Sequence, residues 1–206
     1  MRKNEAQLKA DREKMKTSFR LRPFTPGPLL EKLTITGSIT RVPGTLLIEY
    51  DVRGPIENIS RPGEVLPQPK RCDELWRHTC FELFFGIKDD PGYWEVNFCP
   101  SGRWNVYRFD GYRKGMREEN SMARPLCHVT EDSEVLSLQC SLPINGIVDD
   151  SSTLEAVVSA VIETIDTTTH HWAIEHMGPE PNFHNRDRDG TSILVKNARH
   201  AALPTD

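Results

Sequence analysis

Apolar and polar residues alternate along much of this chain at a period of two, the spacing of a β-strand with one face in a core and the other turned away from it. Residues 33–41 (LTITGSITR) and 45–52 (TLLIEYDV) alternate in this way on either side of Pro43-Gly44, which predicts a hairpin. The same reading places strands at residues 79–85, 94–98, 104–109, 126–130, 135–140, 154–165, 170–175 and 192–195, with one helical turn near 142–147. Residues 54–70 hold four prolines and two glycines and form a long loop of the kind that often carries function. Many short strands, with no strand–helix alternation and no internal repeat, predict an all-β fold: an antiparallel β-sandwich, jelly-roll-like.

The N-terminal end differs. Residues 1–16 are rich in Lys, Arg, Glu, Asp and Ala, with Leu8 and Met15 as their chief apolar members, too few to bury a face. They predict a short charged helix or extension over residues 1–19, with Met15 as a second candidate start. Prolines at 23, 26 and 28 then lead without helix into a domain over residues 20–198, followed by a flexible tail at 199–206.

Two predicted strands carry more than packing. Residues 93–98 (YWEVNF) lead into Pro100-Ser101-Gly102, and the chain returns along 104–109. Proline cannot donate to a central ladder and glycine accepts a positive φ, so the tripeptide is a hairpin loop. Pairing Cys99 with Arg103 then sets Asn97 against Asn105 and Glu95 against Tyr107. One face collects Val96, Phe98, Trp104 and Val106; the other collects Glu95, Asn97, Asn105 and Tyr107. A slip of one residue would oppose Asn97 to Val106 and mix the faces, which argues for this register. The preceding strand divides alike, with Phe81, Leu83 and Phe85 on one side and His78, Cys80, Glu82 and Phe84 on the other.

Carboxylates and amides beside aromatic rings suit a sugar, whose hydroxyls donate and accept while its C–H face stacks on a ring. The same row also fits the solvated face of an antiparallel strand, and Trp76, Trp94 and Trp172 each fit core or rim packing. Glu82, set among apolar neighbours, needs a partner such as Arg71 or Arg108, or a ligand. The expected groove comprises His78, Glu82, Glu95, Asn97, Tyr107 and Arg108, with Trp172 and His176 near its rim. In this register Arg108 stands on the face opposite Glu95.

Charge and composition remove several classes. A net charge of −4 and a pI near 6.0 leave no basic footprint for nucleic acid. No apolar stretch approaches the roughly 20 residues that cross a bilayer, and no signal-like apolar region opens the chain, so a cytoplasmic protein without membrane contact is expected. The five cysteines are odd in number and lack CxxC spacing, which predicts reduced thiols, mostly buried.

Four of the seven histidines, His170, His171, His176 and His184, fall within fifteen positions. Imidazoles suit Zn, Cu, Fe and Ni, so His176 and His184 with Asp187 form a candidate metal or haem site. Their spacing matches no helical zinc signature, and the reading preferred here has them bonding the loop or lining the pocket rim. No cofactor is assigned. Glu82 and Glu95 also form a nominal acid/base pair, which makes a glycan-acting hydrolase the alternative to a non-catalytic binding module. No G-x-S-x-G elbow, P-loop or dinucleotide fingerprint is present, and Cys80 and Cys99 lie in apolar strands where thiols are usually inert.

The Leu75-Trp76 to Gly86 segment, the Tyr93–Phe98 strand leading to Pro100-Ser101-Gly102-Arg103-Trp104, and His171-Trp172 with Pro181-Asn182-Phe183-His184 resemble the DOMON-like group, related to family 9 carbohydrate-binding modules. The likeness runs from about Arg20 to Val195, with its specific part in the centre. It implies a jelly-roll-like β-sandwich with a groove on one sheet that binds a sugar or haem. Sugar-binding relatives use aromatic rings with Glu, Asn and Arg, which Glu82, Glu95, Asn97 and Arg108 match in type. Haem-binding relatives use an axial Met with His or Lys, and here Met116 and Met122 lie in a loop-like segment. The implied partner is a small molecule, a sugar or sugar-containing metabolite.

Overall fold

A computed structural model of the chain describes residues 16–61, 63, 66, 68–186 and 191–196. The charged helix expected in the first residues and the tail expected at 199–206 lie outside the described residues. Thirteen strands occur among those described: β1 (Thr17–Pro23), β2 (Thr34–Val42), β3 (Thr45–Arg53), β4 (Lys70–Arg71), β5 (Cys80–Ile87), β6 (Tyr93–Phe98), β7 (Arg103–Phe109), β8 (Arg117–Glu118), β9 (Leu126–Glu131), β10 (Val135–Pro143), β11 (Leu154–Glu163), β12 (Thr169–Ala173) and β13 (Ile193–Val195). Short 3-10 turns at Leu30–Lys32, Ile56–Asn58 and Leu75–Arg77 are the only helical pieces in the described residues.

The chain is all-β, as its alternation requires. The strands form one curled sheet in the order β4-β7-β6-β5-β11-β12-β1-β2-β3-β10-β9, with β13 added to β11 and β8 to β7. The sheet is not wholly antiparallel, because β4 runs parallel to β7. The join is β1, a strand missing from the sequence reading. Its residues Thr17 to Leu21 pair with β2, while Arg22 and Pro23 pair with β12. Thr17–Phe19, placed by the sequence in the extension, therefore belong to the sheet. Only Phe19 and Leu21 are buried along β1, which is why its alternation reads weakly beside a charged run.

Curling turns the inner faces of both halves toward one core. Ile48, Tyr50 and Val52 of β3 and Leu136 and Leu138 of β10 enter it from one side, and Phe81, Leu83 and Phe85 of β5 with Val96, Phe98, Trp104 and Val106 from the other. Tyr50 spans the gap. Its ring packs 5.2 Å from Phe19 and 4.9 Å from Phe81, and its hydroxyl donates to the backbone carbonyl of Glu82 at 2.6 Å. Gly37, opposite Phe19 in the ladder, leaves the space that the ring occupies, since a Cβ there would collide with it and with the Glu49 carbonyl oxygen.

One cysteine expectation is corrected. Cys127 of β9 and Cys140 of β10 stand directly opposite each other and form a disulfide, with Cα atoms 4.1 Å apart. Two strands brought side by side by folding create this pair, so the linear spacing of the cysteines gives no sign of it. Cys72, Cys80 and Cys99 are free thiols.

Replacing Tyr50 by Phe keeps the ring packing but withdraws the donor from the Glu82 carbonyl, and a net loss of about 1 kcal/mol is expected. Urea denaturation would check this: the midpoint should fall with the slope unchanged.

Candidate functional site

The hairpin register expected from the sequence is present: Glu95 faces Tyr107, Asn97 faces Asn105, and the Cys99 N–H donates to the Arg103 carbonyl at 2.8 Å. Val96, Phe98, Trp104 and Val106 point into the core. The polar row points outward but is not solvated. Glu82, Glu95, Asn97, Asn105 and Tyr107 are all buried, Asn97 and Asn105 completely.

Two segments cover this outer face. The turn at Leu75–Arg77 brings Trp76 edge-on to Tyr107, with ring centres 5.5 Å apart. After β12 the chain loops back and inserts His184 against the rings of Phe84, Tyr93 and Phe109, where its Nδ1 shares a 2.8 Å hydrogen bond with the Tyr93 hydroxyl. Phe183 joins an apolar cluster with Phe84, Tyr93, Tyr107, Phe109, Val157 and Ala173. Rings that alternate outward on the strands thus bury themselves under the returning loop instead of facing water.

Between sheet and cover lies a cavity of about 350 Å³. Glu82, Phe84, Glu95, Phe109, Val161 and His171 line it from the strands, Trp76 from the turn, Pro181, Phe183 and His184 from the returning loop, and Arg113 and Met116 from the exposed loop after β7. Ser159, opposite Glu82 on β11, donates its hydroxyl to Glu82 Oε2 at 2.6 Å. Asn97 donates its amide to Glu95 Oε1 at 2.8 Å.

Burial, and then the charge of Glu95, raises the Glu82 carboxyl to about 8 despite the Ser159 hydrogen bond. Burial raises Glu95 to about 7, opposed by the Asn97 amide and the charge of Arg113. Burial, helped by Arg113, lowers His184 to about 4. Burial also lowers His171, aided by the neighbouring His170 and His176. The two imidazoles on the wall are therefore neutral at pH 7, and the carboxyl pair shares protons there.

Of the eight residues expected in the groove, only Glu82 and Glu95 line the cavity. Asn97 lies behind it and orients Glu95. Tyr107 lies beside it, accepting from the Asn105 amide at 2.9 Å and donating to Asp73. Arg108 is on the other face of the sheet, stacked 3.9 Å over the ring of Trp94, its cross-strand partner. Trp172 is a core residue, 1% exposed, because its face of β12 is the inner one. His78 is exposed and bonds Glu163 at 3.0 Å, and His176 contacts the Arg22 carbonyl at 2.9 Å and packs against Phe24 and Phe183. His176 and His184 have separate partners. Asp187 lies outside the described residues, and among those described no group of three or more His, Cys, Asp or Glu is placed to hold a metal ion. Met116 lines the cavity, whereas Met122 is buried in the core.

The groove expected from the sequence left out Phe84, Phe109, Arg113, Pro181 and Phe183 of this lining. The signal for Phe109 was available, since it shares the outward phase of Asn105 and Tyr107. Loop residues have no such phase.

No family model matches the chain, and no curated protein matches it either. Among solved structures, it is similar to a candidate carbohydrate-binding protein of Bacteroides uniformis, with 13% identity, TM-score 0.64, and coverage of 95% of this chain and 93% of the other. It is also similar to a family 9 carbohydrate-binding module of Caldicellulosiruptor kristjanssonii solved with cellotriose, with 9% identity, TM-score 0.55, and coverage of 92% and 88%. Likeness at this level of identity establishes a shared fold.

Both carboxyls keep their protons to higher pH in the folded chain than in the unfolded one. The fold therefore binds more protons between about pH 4.5 and pH 8, and its stability falls as pH rises through that window. Glu82→Gln, which keeps shape and the Ser159 contact without the charge, should flatten the fall and exceed the parent in stability at pH 8. Denaturant midpoints for both proteins across this range test the expectation.

Proposed function

We propose that the chain is a non-catalytic binding module for a carbohydrate or sugar-containing metabolite, of the DOMON-like kind related to family 9 carbohydrate-binding modules, with its ligand in the cavity over the outer face of β5, β6, β7, β11 and β12. The observation that carries this reading is the cavity lining: two buried carboxyls that each have a free oxygen, among the rings of Trp76, Phe84, Phe109 and Phe183. A protonated carboxyl donates and a carboxylate accepts, so a pair that shares protons at neutral pH serves hydroxyls of either orientation. Aromatic walls cover the C–H faces of a sugar ring. The fold shared with a module solved with cellotriose supports the same reading. The cross-strand disulfide fits an oxidising compartment better than the cytoplasm, so a cytoplasmic location forms no part of the proposal.

A thermal-shift screen against mono- and oligosaccharides tests it. A ligand bound only by the folded state adds about 2.7 kcal/mol of stability at a hundredfold excess over its Kd. At least one saccharide should raise the melting temperature of the parent. Phe183→Ala and Glu95→Gln should lose most of that shift while still melting cooperatively; a shift unchanged in both would move the site elsewhere.

A glycan-acting hydrolase is a second reading, favoured by one observation. Glu82 keeps its proton near neutral pH, as a general acid must, with a second carboxyl on the adjacent strand. Under that reading some glycoside is turned over steadily and Glu82→Gln abolishes the turnover; binding without turnover across a glycoside panel returns the chain to the binding module.

A further inference from the structure

The charges around the cavity are distributed unevenly. Glu82 Oε1 and Glu95 Oε2 have no hydrogen-bond partner among the described residues, although both side chains are more than nine-tenths buried and line the cavity. Glu82 faces the like charge of Glu95 and no cation. Asn97 and Ser159, the polar residues opposite it on the flanking strands, are both neutral. Arg113, the one cationic side chain in the lining, is exposed at the mouth on the loop after β7, and its charge is felt by Glu95 and His184 but is absent from the influences on Glu82. The floor is therefore an acidic pair in which Glu82 faces no cation and Glu95 feels only the exposed Arg113, walled by rings whose faces attract a cation. Burial on adjacent strands pushes both carboxyls toward their neutral forms, and a cation between them favours the charged forms.

We infer that the occupant is a saccharide carrying a free amine, with its ammonium seated between Glu82 and Glu95 and its hydroxyls directed toward Arg113 and the wall imidazoles. The inference rests on the carbohydrate reading and narrows it to amino sugars. An ammonium supplies the missing cation and three donors for the two free carboxyl oxygens, where a neutral hydroxyl supplies one donor and no charge. Arg113 at the opposite pole meets ring and hydroxyl oxygens, which accept. An N-acetylated sugar has no ammonium and so brings no positive charge to the pair.

Isothermal titration calorimetry at pH 7 and low salt separates the outcomes, with glucosamine and its β-1,4-linked oligomers as probes against glucose, cello-oligomers and N-acetylglucosamine. The amine-bearing sugars should bind at least about tenfold tighter than their neutral counterparts. Glu82→Gln, verified as folded by its melting transition, should bring the affinity ratio of amine-bearing to neutral sugars down to about one. Equal or tighter binding of glucose or cello-oligomers would overturn the amine inference and leave the carbohydrate reading standing. A preference that survives in Glu82→Gln would overturn the placement of the ammonium. Absence of binding by every saccharide would overturn both readings.

Discussion

Strand β5 is buried on both of its faces, and much of the molecule is arranged around that constraint. Its inner residues Phe81, Leu83 and Phe85 close the core; its outer residues Cys80, Glu82 and Phe84 are equally withdrawn from water. A carboxyl at such a position cannot simply be solvated. It takes a hydroxyl from Ser159, gives up its charge over much of the neutral range, and rests on a strand whose backbone is held from below by Tyr50. The hydroxyl of one aromatic residue on the far half of the sheet thus supports the carbonyl of the residue that carries the site's least ordinary chemistry.

The outer face needs a cover as much as the inner face needs a core. Trp76 and the segment ending in Phe183 and His184 provide it, and they pack as an apolar cluster in their own right. Because this cover meets the strands mainly through rings, it leaves a gap above the two polar positions where no ring sits. The cavity is that gap. Its polar floor and the rings of Phe84 and Phe109 come from the strands, and Trp76 and Phe183 from the covering segments, so the packing that stabilises the outer layer also defines this space.

Much of this was legible locally. The tripeptide Pro100-Ser101-Gly102 and strict alternation on either side of it set the pairing of Glu95 with Tyr107 and Asn97 with Asn105, because a slip would have put amides in the core. That same phase separated Arg108 from Glu95, and it was available for Phe109, which the expected groove omitted. What alternation could not say is whether the polar face meets water or a second layer. Asn97 and Tyr107, expected in the groove, are instead enclosed, Asn97 bonded to Glu95 and Tyr107 to Asn105 and Asp73.

The sequence by itself determined the all-β class, the core phase of the central strands and the two glutamates on one face, since each depends on residues adjacent in the chain or joined by a short loop. Only the tertiary structure decided that β1 welds both halves into one curled sheet, that Cys127 meets Cys140, that Trp172 faces the core, and that Arg113, Phe183 and His184 close over Glu82. Apart from the disulfide, which joins neighbouring strands of one hairpin, those outcomes depend on contacts between segments far apart along the chain. Loops carry no periodicity to announce where they return, and their positions are selected by which exposed rings they can cover once the sheet has formed.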